Sequence, residues 1–134
     1  MANSFTQQLI VDGARNAVIK LSGVLDTSDL ALTTAVDVST LTQGGTFAAP
    51  SQVRIDHIDY SISDQLEVQL FWDATADVEI LPLAGRGRMS FWNFGGLQNN
   101  ASTGKTGDIL IKTTGWASGT QIFSVILELV KQGV

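Results

Sequence analysis

The feature that most constrains this chain is a set of short segments in which apolar and polar residues alternate. Successive side chains of a β-strand point to opposite faces, so a period of two predicts strands with one buried face. Residues 66–73 show the pattern, because Leu66, Val68, Leu70 and Trp72 share one face. Glycine and polar turns interrupt each such run. The chain is therefore predicted to be all-β.

Eight or nine strands are predicted, with no convincing helix and no internal repeat. They cover residues 6–11, 14–25, 33–39, 52–63, 66–73, 78–83, 88–94, 108–113 and 120–131. Many short strands with glycine-rich turns are typical of a β-sandwich or barrel. Residues 1–134 are predicted to form a single antiparallel domain of this kind.

Local signals refine three of these strands. A one-residue phase slip at His57 predicts a β-bulge. The turn Ser63-Asp64-Gln65 is short enough to close a hairpin between its two neighbouring strands, and Gly85-Arg86-Gly87 is predicted to be another turn. Pro82 places its strand at a sheet edge or near a strand end, because proline donates no hydrogen bond to a sheet.

Composition narrows the class of protein further. Hydrophobic residues at 44% and charged residues at 16% match an ordinary globular chain rather than a disordered one. A net charge of −5 with scattered Lys and Arg argues against nucleic-acid binding. No apolar run approaches the ~20 residues of a membrane span, and residues 1–8 do not match a signal peptide. The absence of cysteine excludes disulfides and thiol chemistry.

The triplet Gly104-Lys105-Thr106 invites comparison with phosphate-binding loops. Such a loop needs a second glycine five residues before Gly104, and Asn99 occupies that position. It must also open a helix, whose N-terminus favours phosphate, whereas the residues after Thr106 predict a strand. The loop over 95–107 is therefore predicted to bind no nucleotide, with Lys105 solvated at its tip.

Three stretches share a recognisable order of motifs: LFWDATADVEILPLAGRG (70–87), FWNFGGLQNNASTGKTGDILIKTTGWASG (91–119) and QIFSVILELVKQG (121–133). Together they resemble small structural proteins of tailed bacteriophages, especially sequences encoded among the virion genes of aquatic phages. The resemblance covers residues 52–131 and, more weakly, 23–39. It implies a jelly-roll-like β-sandwich in the virion, with a non-enzymatic head decoration or cement protein as the favoured role. Head and tail proteins are not separable by these motifs.

This resemblance also implies a partner and a location. The partner is the major capsid protein, on the surface of the phage head, after synthesis in the cytoplasm of the bacterial host. Because oligomerisation raises avidity by factors of roughly 10² to 10⁴, we expect a homotrimer that matches the threefold positions of a shell. Candidate contact residues lie in the polar segment 1–8, expected to extend as an arm, in the loop 42–50 and in a turn: Phe5, Gln7, Thr46, Phe47 and Trp116.

Catalysis and metal binding have few candidates. His57 is the single histidine, and a lone histidine in a strand is more often structural than catalytic. Asp73, Asp77 and Glu79 form the strongest acidic cluster, and a turn that joined Asp73 to Asp77 would offer calcium its preferred oxygen ligands. The favoured alternative is that Asp73 bonds its own turn backbone, with help from Thr75. No catalytic residue, metal or cofactor is expected.

Four aromatic residues raise an alternative function: Trp72, Trp92, Trp116 and Phe91. Trp72 and Phe91 fit apolar alternations and are predicted to lie in the core, whereas Trp116 lies in a turn and is predicted to be exposed. Sugar-binding β-sandwiches use aromatic platforms, so a carbohydrate-binding module or lectin-like virion protein is the second hypothesis. An exposed tryptophan suits a protein interface equally well.

The interpretation of the glycine-rich loop predicts the behaviour of one variant. Lys105→Ala is expected to leave the free energy of unfolding within about ±0.5 kcal/mol, as is usual for surface substitutions. Isothermal titration is expected to detect no ATP binding to the wild-type chain. ATP binding that disappears with the substitution would overturn the interpretation.

Overall fold

The computed structural model describes residues 3–13, 15–41 and 52–132, and within them the chain is all-β, as predicted. The strands are β1 (Ser4–Asp12), β2 (Asn16–Leu25), β3 (Thr33–Val36), β4 (Gln52–Ile62), β5 (Glu67–Trp72), β6 (Val78–Leu83), β7 (Arg86–Ser90), β8 (Ile109–Thr114) and β9 (Gln121–Gln132). Two single-turn 3₁₀ helices occur at Val38–Thr40 and Trp92–Phe94. Among these residues, no helix is long and apolar enough to cross a membrane.

The strands form two antiparallel sheets of a β-sandwich. The five-stranded sheet has the order β1-β2-β9-β4-β7, and the four-stranded sheet has the order β3-β8-β5-β6. The pairs β2–β9, β3–β8, β4–β7 and β5–β6 are therefore nested inside one another along the chain. A long hairpin of four strands against four, divided between two sheets, is the jelly-roll topology. β1 is an additional edge strand outside β2.

Inward-facing side chains of both sheets fill one core. They include the predicted stripe of β5, where Val68, Leu70 and Trp72 are buried, and the matching stripe of β9. Trp72 is only 2% exposed and is the largest of the fully buried side chains. Phe91 is also buried, which confirms that the apolar alternation identifies the core faces of these segments.

The predicted hairpin at Ser63-Asp64-Gln65 is wrong. β4 pairs with β7 and β9, while β5 pairs with β6 and β8, so this turn carries the chain from one sheet to the other. The next connection, from β6 to β7, also crosses between the sheets, and Arg86 and Gly87 belong to β7 rather than to a turn. A short turn suits either connection, and β5 cannot pair with the end of β4 because β9 lies on one side of it and β7 on the other.

The described part of the N-terminal segment is a strand, as predicted from residue 6 onward, and not the extended arm expected over residues 1–8. Ser4–Asp12 pairs with β2 along its length. Phe5 packs against the core, with its ring centroid 6.2 Å from that of Phe123. Gln7 donates hydrogen bonds from Nε2 to the carbonyl oxygens of Thr34 and Ala35 on β3. The segment is polar because one face of an edge strand is solvated, so polarity alone did not exclude it from the sheet.

The bulge predicted at His57 is present and shapes one side of the molecule. The register of β4 against β9 shifts between Ile55 and His57, which leaves Asp56 as the extra residue. β7 pairs with β4 only from His57 to Ser61. The chain therefore leaves β4 at the bulge, and before that point β4 is paired with β9 on one side and bonded at Ile55 to Leu97 on the other.

The burial of Trp72 gives a direct test of the core. Trp72→Ala is expected to lower the free energy of unfolding by roughly 3–5 kcal/mol, because it removes a large buried aromatic side chain. Trp92 is 62% exposed, so Trp92→Ala is a matched control with an expected change within about ±0.5 kcal/mol. Chemical denaturation measures both, and equal losses in the two variants would contradict the assignment of Trp72 to the core.

Candidate interaction surface

Among the described residues, the most exposed aromatic side chains lie in a turn after β7, which we call the aromatic turn (residues 91–97). Phe91 begins it, buried, and donates its backbone N–H to the carbonyl of Asp56, the bulge residue, at 2.7 Å. Trp92 and Phe94 follow on the 3₁₀ helix and are 62% and 64% exposed. Phe91 and Phe94 meet edge to face at 6.2 Å, so one ring anchors the turn while its neighbours face solvent.

Two glycines close the turn against β4. Gly95 and Gly96 have φ of 92° and 83°, and their N–H groups bond the carbonyls of Trp92 and Phe91 at 3.1 and 2.9 Å. A Cβ at Gly96 would lie 2.6 Å from Oδ1 of Asp56, so no larger residue fits without a shift. Leu97 then exchanges two backbone hydrogen bonds with Ile55, at 2.8 and 3.1 Å. The turn is therefore fixed to β4 at both ends.

A chain of side-chain hydrogen bonds joins the glycine-rich loop to this turn. Lys105 Nζ donates to Gln52 Oε1 at 2.8 Å, and Gln52 Nε2 donates to Gln132 Oε1 at 2.8 Å. Gln132 donates to Gln98 at 3.0 Å, and Gln98 donates to the carbonyl of Gly95 at 2.7 Å. All four bonds run in one direction, so they polarise one another. Lys105 is exposed, as predicted, but its ammonium group belongs to this network and is not simply solvated.

The acidic cluster predicted from the sequence is divided among separate contacts. Asp73 Oδ2 accepts a hydrogen bond from Thr106 Oγ1 at 2.7 Å. Asp77 Oδ1 accepts one from the N–H of Ala74 at 3.0 Å. Glu79 is exposed on β6, opposite Phe71. The cap of this turn is therefore Asp77 rather than the expected Asp73. In the described part of the chain, no three His, Cys, Asp or Glu residues are placed to hold a metal ion.

His57 lies in a polar strip on the outward face of the five-stranded sheet. Its Nδ1 is 2.9 Å from Ser90 Oγ, and its cross-strand neighbour on β9 is Glu128. Arg88 bonds both Asp59 and Glu128, at 2.7 and 3.1 Å, and the bond to Asp59 raises the pKa of the Arg88 guanidinium. Because the Glu128 carboxylate bonds Arg88, the described contacts do not link serine, histidine and carboxylate in series as a hydrolytic triad requires.

Trp116 is structural, contrary to the prediction that it is exposed. Its indole Nε1 donates to the carbonyls of Leu25 and Gly119 at 3.1 and 3.0 Å, and its ring packs against the core. Phe5 and Gln7 are likewise engaged within the fold, as described above. Thr46 and Phe47 lie outside the described residues. The three described candidates, Phe5, Gln7 and Trp116, therefore do not belong to the exposed aromatic surface.

Sequence reasoning named Trp92 among the aromatic candidates, but it predicted neither the exposure of Trp92 nor that of Phe94, because it continued the strand of β7 as far as residue 94. The strand ends at Ser90. A signal was present in the double glycine that follows Phe94, which ends a regular strand and permits a tight turn.

No protein-family model matches the chain, and no curated protein matches it either.

Asp108 carries the clearest electrostatic perturbation of a carboxyl group. It precedes β8, and its Oδ1 accepts the N–H of Val38 at 3.0 Å. Burial raises the pKa of the Asp108 carboxyl above its ordinary value of 3.8, the hydrogen bond from Val38 opposes this shift, and the nearby Asp37 and Asp73 add to it. The folded chain therefore binds this proton more tightly than the unfolded chain does.

The raised pKa of Asp108 predicts how stability depends on pH. The stabilisation that comes from the protonated Asp108 carboxyl is fully present below pH 3.8. It is lost as the pH rises through the higher pKa of the folded state. Asp108→Asn removes the charge and retains the acceptor oxygen. The free energy of unfolding of this variant, relative to that of wild type, is therefore expected to be higher at neutral pH than at acidic pH. Asp64→Asn, at an exposed turn, is the matched control. Urea denaturation at both pH values measures the difference, and a pH-independent difference for Asp108→Asn contradicts the prediction.

Proposed function

We propose that this chain is a non-enzymatic structural protein of a tailed-phage particle, a decoration or cement protein that binds and stabilises the head shell. The observation that supports the proposal is the aromatic turn, where Trp92 and Phe94 are 62% and 64% exposed. Large exposed aromatic residues are typical of protein interfaces, in which tryptophan is enriched among the residues that dominate binding energy. The phage-like motifs at 70–87, 91–119 and 121–133 point to the class of particle.

The support beneath the aromatic turn strengthens this proposal. Binding orders flexible groups and so loses affinity, whereas a preorganised surface avoids much of that loss. The backbone of the turn is already fixed by its bonds to Ile55 and Asp56, and the Gln98 side chain bonds Gly95 from the other side. The two exposed rings are thus presented on a rigid support.

The polar residues that the sequence singled out make structural contacts, which favours binding over catalysis. Asp77 caps a turn, Asp73 bonds Thr106, and His57 is paired with Ser90. On the particle, the proposed partner is the major capsid protein, and the location is the outer surface of the head. A homotrimer at threefold positions is the oligomer proposed from the symmetry of a shell, because linked sites multiply avidity.

One observation favours a second function, that of a lectin-like virion protein. The exposed indole of Trp92 is a flat apolar surface on which a sugar ring can stack. Sugar-binding β-sandwiches use such aromatic platforms, so Trp92 is the residue on which both hypotheses rest.

Substitution of the exposed rings tests the proposed function. Trp92→Ala and Phe94→Ala are each expected to weaken binding to purified heads that lack this protein by about 2 kcal/mol or more, roughly 30-fold, as for central interface residues. Neither ring is in the core, so the midpoint of thermal unfolding is expected to stay unchanged. Co-sedimentation with heads measures the affinity.

Ile122→Ala is the matched control, because Ile122 is 56% exposed on β9, away from the aromatic turn. It is expected to bind heads like wild type. Wild-type protein that does not bind heads overturns the proposal. Glycan binding by the wild type that Trp92→Ala abolishes would support the lectin-like function instead.

A further inference from the structure

Within the described residues, the sandwich has four edge strands, which are protected to very different degrees. The edge strands are β1 and β7 in one sheet and β3 and β6 in the other. An edge strand presents unpaired N–H and C=O groups that can pair with another chain. Folded proteins commonly protect such edges with charged residues, proline, bulges or short strands.

Three of the edges carry such protection. β7 places Arg86 and Arg88 on its edge. β6 contains Pro82, and its pairing with β5 is interrupted by a register shift. β3 is only four residues long, and the carbonyls of Thr34 and Ala35 are engaged by the side chain of Gln7.

β1 is the exception. It is nine residues long and contains no proline, and its only charged residue, Asp12, forms an ion pair with Lys131. The consecutive residues Leu9, Ile10 and Val11 are 45%, 50% and 46% exposed. A register shift between Leu9 and Val11 marks a bulge near the end of the strand, and residues 4–9 remain regularly paired with β2. The strand thus presents a regular, uncharged edge followed by three exposed apolar side chains.

β1 extends the five-stranded sheet beyond the edge of the four-stranded sheet. Leu9 lies opposite Ile19, which is buried, so Leu9 faces the core side of the sheet. It is nevertheless exposed, because the four-stranded sheet ends at β3. A groove of about 390 Å³ lies between β1 and β3, with Leu9, Ile19 and Leu41 among its lining residues.

We propose that a second copy of this chain pairs with the edge, β1 against β1 in antiparallel orientation about a twofold axis. The contact joins two five-stranded sheets into one continuous sheet. A twofold contact uses the same surface on both subunits and is the commonest symmetry of homo-oligomers. Each copy has the same unprotected edge, and the pairing satisfies the free backbone N–H and C=O groups of both edges.

Charge and shape favour a second copy over an unrelated strand. Residues 4–11 are uncharged, so the paired edges bring no like charges together. The nearest cation on the neighbouring strand is Lys20, opposite Gln8. In the dimer the two Lys20 backbones are three strand spacings apart, about 14 Å, which exceeds the ~8 Å screening length at physiological salt. Leu9 also projects beyond the four-stranded sheet beside this edge, so a second copy that pairs there covers part of its exposed side chain.

The dimer does not rest on the proposed shell-binding function, since it follows from the edge of the isolated chain. The aromatic turn is attached to β4, near the edge of the sheet that lies opposite β1. Each dimer therefore leaves both aromatic turns free, one at each end. The dimer is an alternative to the homotrimer proposed from the symmetry of a phage shell. Because the two oligomers differ in mass, a mass measurement in solution distinguishes them.

The test is the mass of the full-length chain in solution, measured by light scattering over a concentration series. Wild type is expected to have twice the monomer mass. Ile10→Lys is expected to be monomeric at the same concentrations, because it places a charge from each copy at the paired edge. Ile122→Lys is the matched control. Ile122 is similarly exposed, but it lies on β9, which has a neighbouring strand on each side, so this variant is expected to remain dimeric. Thermal unfolding checks that both variants fold.

Hydrogen exchange supplies an independent readout. The amides of β1 are expected to exchange more slowly as the wild-type concentration rises, with no such change in Ile10→Lys. A wild-type chain that is monomeric throughout overturns the proposal, as does a trimer that Ile10→Lys leaves intact. Loss of the dimer in Ile122→Lys but not in Ile10→Lys also overturns it, because the contact would then involve the face of the sheet.

Discussion

The pairing of β9 with both β2 and β4 is the interaction on which the rest of the structure depends. β9 contributes alternating buried residues, among them Phe123, Val125 and Leu127, and both of its neighbours are far from it in sequence. β7 occupies the other side of β4, so the short connections between β4 and β5 and between β6 and β7 cross between sheets. The nested order of a jelly roll follows from that constraint. Such non-local pairing typically makes folding slow, because long loops close before the contacts form.

The bulge in β4 links this scaffold to the candidate surface. Asp56, the extra residue, presents its carbonyl to the N–H of Phe91 and its side chain to the space beside Gly96. β7 ends at the same level of the sheet, so the chain turns there and not elsewhere. The exposed rings of Trp92 and Phe94 are therefore positioned by an irregularity in a neighbouring strand. A regular β4 would let β7 continue and would place these rings in a strand.

Polar residues illustrate why the candidate site was only partly predictable. The motif at Gly104-Lys105-Thr106 indicated a loop, but not that Lys105 begins a hydrogen-bonded chain through Gln52, Gln132 and Gln98. Its members are far apart in sequence and meet only because β4 and β9 are neighbours. The sequence indicated Asp73 as the residue that bonds the turn backbone, yet in the folded chain Asp77 does so. Sequence spacing carries no information on which of two nearby carboxylates reaches a given N–H.

The sequence by itself determined the all-β class, the core faces of strands such as β5 and β9, the burial of Trp72 and the bulge at His57. These features are encoded locally, because alternation with a period of two and its interruption are visible within a few residues. Only the tertiary structure decided that Ser63-Asp64-Gln65 crosses between sheets, that residues 4–8 pair as an edge strand, and that Trp116 is enclosed while Trp92 is exposed. Each of these depends on which distant strand supplies the hydrogen bonds and the covering side chains, and that choice is made by the whole core at once.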